Sequence, residues 1–152
     1  MSKSVERQVR LVLYGEYRHN IDKKGRVAVP AKLREELGES VTIAKSLEGK
    51  NCLCIYSADE WAALDEKVRQ LPTVKASALR HYLYAGARTL EYDSQGRVLI
   101  PQNLRDFASL EGETAILGMS THLEVWNAAA WDEECKKYTP SDIAGIVEQL
   151  DF

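Results

Sequence analysis

Three observations in the amino-acid sequence predict a mainly β fold with flanking helices (α+β), built of two pseudo-twofold-related units in one compact domain. First, Asp22-Lys23-Lys24-Gly25-Arg26-Val27-Ala28-Val29-Pro30, with Leu33-Arg34 after it, returns as Asp93-Ser94-Gln95-Gly96-Arg97-Val98-Leu99-Ile100-Pro101, with Leu104-Arg105 after it, at a constant offset of 71 residues. Second, Leu53, Ile55, Tyr56 and Trp61 are matched by Leu123, Val125, Trp126 and Trp131 at an offset of 70. An internal repeat fixes architecture before any single element does. Third, neither copy alone has enough residues to close a generous core, so the two are expected to pack together. The boundary falls at residues 1–85 and 86–152, with no flexible linker between them.

Each element follows in order. Val5 to Leu13 is a mixed apolar and basic lead-in, readable as helix or strand. From Gly15 to Ile21 polar and apolar residues alternate, which predicts a strand. Asp22 and Gly25 occupy the first and last positions that a type I turn favours, because Asp accepts from backbone amides and Gly suits the exit. A return strand Arg26 to Val29 is expected to complete a hairpin, with Val27 and Val29 on one face and Arg26 presented at the tip. Pro30 ends the strand and opens a helix through Leu37, with Gly38 as its stop. Val41 to Ala44 and Cys52 to Tyr56 read as the next strand pair. Ser57-Ala58-Asp59-Glu60 is a capping box for a helix to about Gln70. A further helix spans Val74 to Gly86.

The second copy repeats this order: strand Gly86 to Tyr92, turn Asp93 to Gly96, strand Arg97 to Ile100 and helix Pro101 to Phe107. Thr114 to Leu117 and Leu123 to Trp126 are its later strands. Asn127 caps a helix containing Trp131, and Pro140 to Leu150 reads as a last amphipathic helix.

Hydrophobic content of 45% and charged content of 28% are ordinary globular values. No apolar run is long enough for a membrane span, and the polar start from Met1 to Arg7 lacks a signal-peptide core. A cytoplasmic location is expected, which three cysteines without a disulfide framework also suit. The formal charge of −3 conceals a polarity. Residues 1–34 hold nine Lys/Arg against three acids, a net of +6, which leaves −9 for the remainder. Such a basic face attracts a polyanion locally even on an acidic body.

The doubled Asp-x-x-Gly-Arg-Val-x-[Val/Ile]-Pro-x-x-Leu-Arg signature resembles the MraZ family, regulators of the bacterial division and cell wall cluster, over almost the whole chain. Each copy also resembles the swapped-hairpin domain of AbrB and the MazE antitoxins. The resemblance implies two swapped-hairpin β-barrel units. It implies a nucleoid-associated transcriptional regulator that assembles into a ring of several subunits and binds double-stranded DNA at short direct repeats in its own promoter region. It also places the pairs Asp22 with Arg26 and Asp93 with Arg97 on the DNA-binding surface.

The residues themselves allow two roles for Arg26 and Arg97: reading guanine edges or contacting phosphate, or closing a salt bridge to Asp22 and Asp93 that fixes the turn. Arg18, Lys23 and Lys24 are expected phosphate contacts, supplying affinity and salt dependence with little sequence information. The second copy has Thr89, Ser94 and Gln95 at these positions, so the first turn is expected to dominate. Arg34 and Arg105 lie on the following helices, where a helix-end or intersubunit ion pair competes with DNA contact. Cys52 and Cys54 share a strand face, but no second Cys or His pair stands at zinc spacing, and they read as buried thiols. Trp61 and Trp131 read as core anchors. His19, His81 and His122 have no partner in a catalytic pattern. No metal, cofactor, small-molecule substrate, membrane association or enzymatic activity is therefore expected. The alternative is an antitoxin-like module whose acidic C-terminal part wraps a protein partner.

Overall fold

In the computed structural model, residues 13–151 are described, so the lead-in lies outside the described residues up to Val12. Strand β1 (Leu13–Ile21) runs into the Asp22–Gly25 turn, followed by β2 (Arg26–Ala28) and helix α1 (Ala31–Leu37). Strands β3 (Ser40–Lys45) and β4 (Leu53–Ser57) precede helices α2 (Ala58–Arg69) and α3 (Thr73–Gly86). The same succession then recurs as β5 (Arg88–Glu91), β6 (Arg97–Leu99), α4 (Gln102–Ala108), β7 (Gly112–Ser120), β8 (Leu123–Asn127) and α5 (Ala128–Cys135). Helix α6 (Pro140–Gln149) is added at the end.

Local chemistry explains the boundaries. Ser57 accepts from the Glu60 amide at 3.2 Å and Asn127 from the Ala130 amide at 2.9 Å, each satisfying an orphan donor of a first turn. Thr139 and Asp142 form a reciprocal capping box on α6. Pro30 and Pro101 stand just ahead of α1 and α4, and their carbonyls accept the first helical amides, Leu33 and Arg34 in one case and Leu104 and Arg105 in the other.

The strands assemble as an open six-stranded antiparallel sheet, ordered β1-β7-β8-β4-β3-β5, and a separate two-stranded ribbon of β2 and β6. Among the described strands, only β3–β4 and β7–β8 pair within one half of the sequence. β1 lies on β7, from Leu13 opposite Ser120 to Ile21 opposite Gly112, while β5 lies on β3. Each half therefore gives its first strand to the other.

The expected hairpin of β1 with β2 is corrected accordingly. The turn closes as a three-residue loop, with the Gly25 amide donating to Asp22 O at 3.0 Å and the Asp22 amide to Arg26 O at 3.0 Å. Beyond that rung β1 leaves β2, because nine residue pairs with β7 offer a longer ladder than three-residue β2 can.

The main core fills the space between ribbon and sheet. Val27, Val29, Val98 and Ile100 face inward from the ribbon onto Leu33, Leu37 and Leu104 of the helices and Ile43, Ile55, Ile116, Leu123 and Val125 of the sheet. Each such side chain contributes on the order of 1.5–3 kcal/mol by leaving water. On the sheet's other face, Ala44, Val68 and Leu83 pack with half-buried Trp61 and Tyr56, and Cys52, Ala115, Leu117 and Trp126 pack with half-buried Trp131. The two tryptophans thus anchor helices α2 and α5.

Candidate nucleic-acid interface

The ribbon places the repeated signature. Val27 stands opposite Val98, Arg26 opposite Leu99 and Ala28 opposite Arg97. Bonds from the Val29 amide to Gly96 O (3.1 Å) and from the Ile100 amide to Gly25 O (2.8 Å) lengthen it by one pair at each end. The two turns therefore sit at opposite ends of one ribbon, related by a twofold through the Val27/Val98 pair. Alternation puts the valines inward and Arg26, Ala28, Arg97 and Leu99 outward. Leu99 is 54% exposed.

Each turn is built around its aspartate. Asp22 Oδ1 accepts from the amides of Lys24 (3.0 Å) and Arg26 (2.9 Å), while Oδ2 accepts from Arg26 Nε at 2.7 Å. Asp93 does the same with Gln95, Arg97 and Arg97 Nε, at 2.9, 2.9 and 2.8 Å. The backbone amides of Arg26 and Arg97 are the first cause that holds these carboxyls below the usual range, so both stay ionised. Arg97 Nη1 also lies 3.9 Å from Asp22 Oδ2, which links the two turns.

The salt-bridge role weighed for these arginines is thus realised, and at Arg26 it uses only the Nε side of the guanidinium. Among the described residues the Nη groups of Arg26 donate to no protein acceptor, and about a third of the side chain (34%) is exposed. Such an arginine is fixed in position and still has donors to offer. Lys23 and Lys24 are exposed at the same turn.

Arg34 and Arg105 form no ion pair among the described residues. Arg34 Nη1 donates to Val29 O at 2.6 Å and Arg105 Nε to Ile100 O at 2.9 Å. Each guanidinium lies over the other half's turn: a Cβ placed on Gly25 would come within 2.6 Å of Arg105 Cζ, and one on Gly96 would strike Arg34. Both glycines have positive φ, +93° and +74°, so the turn and the arginine above it each demand the absent side chain.

Arg18 is held elsewhere. Its guanidinium bonds Asp132 at 2.6 Å and Glu16 at 2.8 Å and lies 3.4 Å from Glu113. Trp131 Nε1 donates to Glu16 at 2.8 Å, which is the first cause lowering the Glu16 carboxyl, so this cluster ties β1 to α5.

One grouping escaped the search along the chain. Cys54, His122 and Glu124 have ligand atoms all within 4.8 Å of one another. Sequence spacing hides them because Cys54 stands on β4, Glu124 on β8 and His122 in the bend just before β8, yet the offset of 70 that matches Leu53 with Leu123 also superposes Cys54 on Glu124 and Cys52 on His122. Among the described residues no helix is long and apolar enough to cross a membrane.

Comparison with known proteins follows the same repeat. The family described as MraZ protein, putative antitoxin-like, matches residues 12–80 and 83–143. A protein of Caldanaerobacter subterraneus subsp. tengcongensis named transcriptional regulator MraZ is 46% identical, over 92% of this chain and 97% of its own length. Proteins of the same name from Caldicellulosiruptor saccharolyticus (48%, covering 91% of this chain and 99% of the relative) and Acetivibrio thermocellus (47%, covering 80% and 85%) are similar to it as well. Matched in both halves and aligned to these relatives over most of its length, the chain belongs to the MraZ family.

Proposed function

We propose that this protein is a sequence-specific DNA-binding transcriptional regulator, not an enzyme, acting in the cytoplasm on the nucleoid. The name its relatives carry supports regulation of transcription. The observation that carries the DNA-binding reading is the pair of exposed lysines, Lys23 and Lys24, whose side chains have no partner among the described residues, at the turn that also fixes Arg26 at one end of the ribbon.

In this reading Asp22 and Asp93 fix Arg26 and Arg97 for base or phosphate contact, and Lys23 and Lys24 bind phosphates. Arg18 would join them only by exchanging its carboxylates for DNA. Units 1–85 and 86–152 act together as one interleaved body, with the ribbon as its DNA-facing surface. A ribbon this short makes few contacts, so useful affinity requires several ribbons presented together at high effective concentration. A ring of several subunits on short direct repeats, in the promoter of the division and cell wall genes including its own, meets that requirement.

The exposed apolar stripe of α6 supports assembly: Ile143, Ile146, Val147 and Leu150 recur at helical spacing and stay uncovered in the single chain. The same stripe, with the family's antitoxin-like description, favours a second reading in which another protein covers it. Gel-shift of the purified protein against its own upstream DNA, with a scrambled duplex at equal salt, separates the two. Selective retardation of the native duplex is expected, and equal or absent retardation of both would refute DNA recognition.

A further inference from the structure

Strands β4 and β8 pair antiparallel with Cys54 directly opposite Glu124, flanked by Leu53 opposite Val125 and Ile55 opposite Leu123. His122, in the bend just before β8, brings its ring to the same place, the ligand atoms of the three residues all lying within 4.8 Å of one another. A thiol from one half thus meets a carboxylate and an imidazole from the other, at the centre of the pseudo-twofold. We propose that Cys54, His122 and Glu124 bind a divalent transition-metal ion of zinc's class, cross-linking the two halves of the chain on the sheet face remote from the ribbon.

Two features beyond proximity point to a cation. Glu124 is only 5% exposed, and among the described residues no Lys or Arg nitrogen lies within 4.0 Å of its carboxylate. Buried carboxylates are normally paired or bound to metal, because an unpaired buried charge is costly. One oxygen, Oε1, accepts from Trp126 Nε1 at 2.9 Å, which orients the group and leaves the second oxygen to ligate. That is the outer-shell hydrogen bond ligating groups characteristically have.

His122 is similarly held. Its ring packs against Tyr56 at a 34° tilt with centroids 5.4 Å apart, and the Thr121 hydroxyl lies 2.9 Å from Nδ1, so the ring is held in place by its neighbours and Nε2 is left to ligate.

The donor set selects the ion. A thiolate with an imidazole suits zinc and similar borderline-soft ions and disfavours magnesium or calcium, which take oxygen ligands. Three protein ligands leave one position of a tetrahedral ion to water. Ligation transfers the Cys54 Sγ proton to solvent as the sulfur–metal bond forms, with no change of oxidation state. Because a metal here joins residue 54 to residues 122 and 124, it binds the folded pairing of the halves and not the unfolded chain, so it should raise thermal stability.

The test uses the full-length protein stripped with chelator and titrated with cobalt(II), then with zinc as competitor. One equivalent per chain is expected, with a thiolate-to-cobalt charge-transfer band and the strong visible absorption of a four-coordinate ion, both abolished by zinc. Zinc should also raise the melting temperature. His122→Ala and Glu124→Gln should each weaken binding at least about tenfold, the loss that even outer-shell changes produce. Glu124→Gln keeps an acceptor for Trp126, so its fold can be checked by circular dichroism. Cys135→Ser, which removes the exposed thiol, should bind as wild type does. A wild-type protein without the charge-transfer band, or His122→Ala binding as tightly as wild type, would overturn the site.

Discussion

Replacing Gly25 by alanine tests the cross-half lock directly. Its φ of +93° costs an L-residue about 1–3 kcal/mol, offset by about 0.4–1 kcal/mol from the stiffer unfolded chain. Gly49, with φ of +76° and nothing within 4 Å of an added Cβ, carries a positive φ without the crowding, so Gly49→Ala should lose about 1 kcal/mol. At Gly25 the new Cβ would lie 2.6 Å from Arg105 Cζ and 2.9 Å from Ile100 O. Arg105 must then give up its bond to Ile100 O, a charged hydrogen bond worth about 1.5–3 kcal/mol. The sum is a loss of about 3–4 kcal/mol, and at roughly 2–4 °C per kcal/mol for a chain of this size the melting temperature falls by about 10 °C. Thermal and urea unfolding at matched protein concentration measure it. The double variant Gly25→Ala/Arg105→Ala should recover part of the loss, since the guanidinium is then gone and only the Ile100 carbonyl still crowds the site. Equal losses for Gly25→Ala and Gly49→Ala, or strict additivity in the double variant, would refute the lock.

Lys23→Ala should shallow the dependence of log affinity on log salt by about 0.9, one phosphate's share on duplex DNA, and weaken specific and nonspecific DNA alike in titrations across a salt series. An unchanged slope places Lys23 off the phosphate backbone. Arg26→Ala should damage DNA affinity far more than Arg97→Ala in gel-shift at matched salt, because only the first turn carries Lys23 and Lys24. Restoring charge by Ser94→Lys and Gln95→Lys should then strengthen mainly nonspecific binding, and equal losses for the two arginine variants would end the asymmetric reading. Because the folded carboxyls of Asp22 and Asp93 are held below their unfolded range, the stability they add is present above about pH 4 and is lost as pH falls through the folded values. Asp22→Asn/Asp93→Asn should therefore flatten the acid limb of the melting temperature plotted against pH, and an unaltered limb would show that other carboxyls govern it.

Elements governed by near neighbours were legible in the sequence. The Asp22 turn, the Ser57 and Asn127 caps and the helices after Pro30 and Pro101 are set within four or five residues, and they stand where the sequence puts them. Strand partnership is not local. Alternation in Gly15 to Ile21 signals a strand without saying that its ladder is β7, and the three-residue turn closes one rung whether or not a hairpin continues. The same limit hid the carboxylates around Arg18, of which Asp132 is 114 residues away, and the meeting of Cys54 with Glu124. The repeat held that last piece of information, since equivalent strands of two halves packed about a twofold meet at equivalent positions.

What the two copies share and where they differ separate scaffold from charge. Every shared residue has structural work among the described contacts: the aspartates accept backbone amides, the glycines take positive φ under an arginine, and Val27 and Val98 meet in the core. Leu33 and Leu104 are buried, and Arg34 and Arg105 cover the opposite turns. Lys23 and Lys24, replaced by Ser94 and Gln95, are exposed, and among the described residues their side chains make no hydrogen bond or ion pair. Repetition of Arg26 as Arg97 is therefore accounted for by the turn alone and does not by itself argue for DNA contact. The unrepeated lysines do, because no described residue partners their charge and a polyanion would. That is why the salt series on Lys23 bears on function more directly than substitution of either arginine.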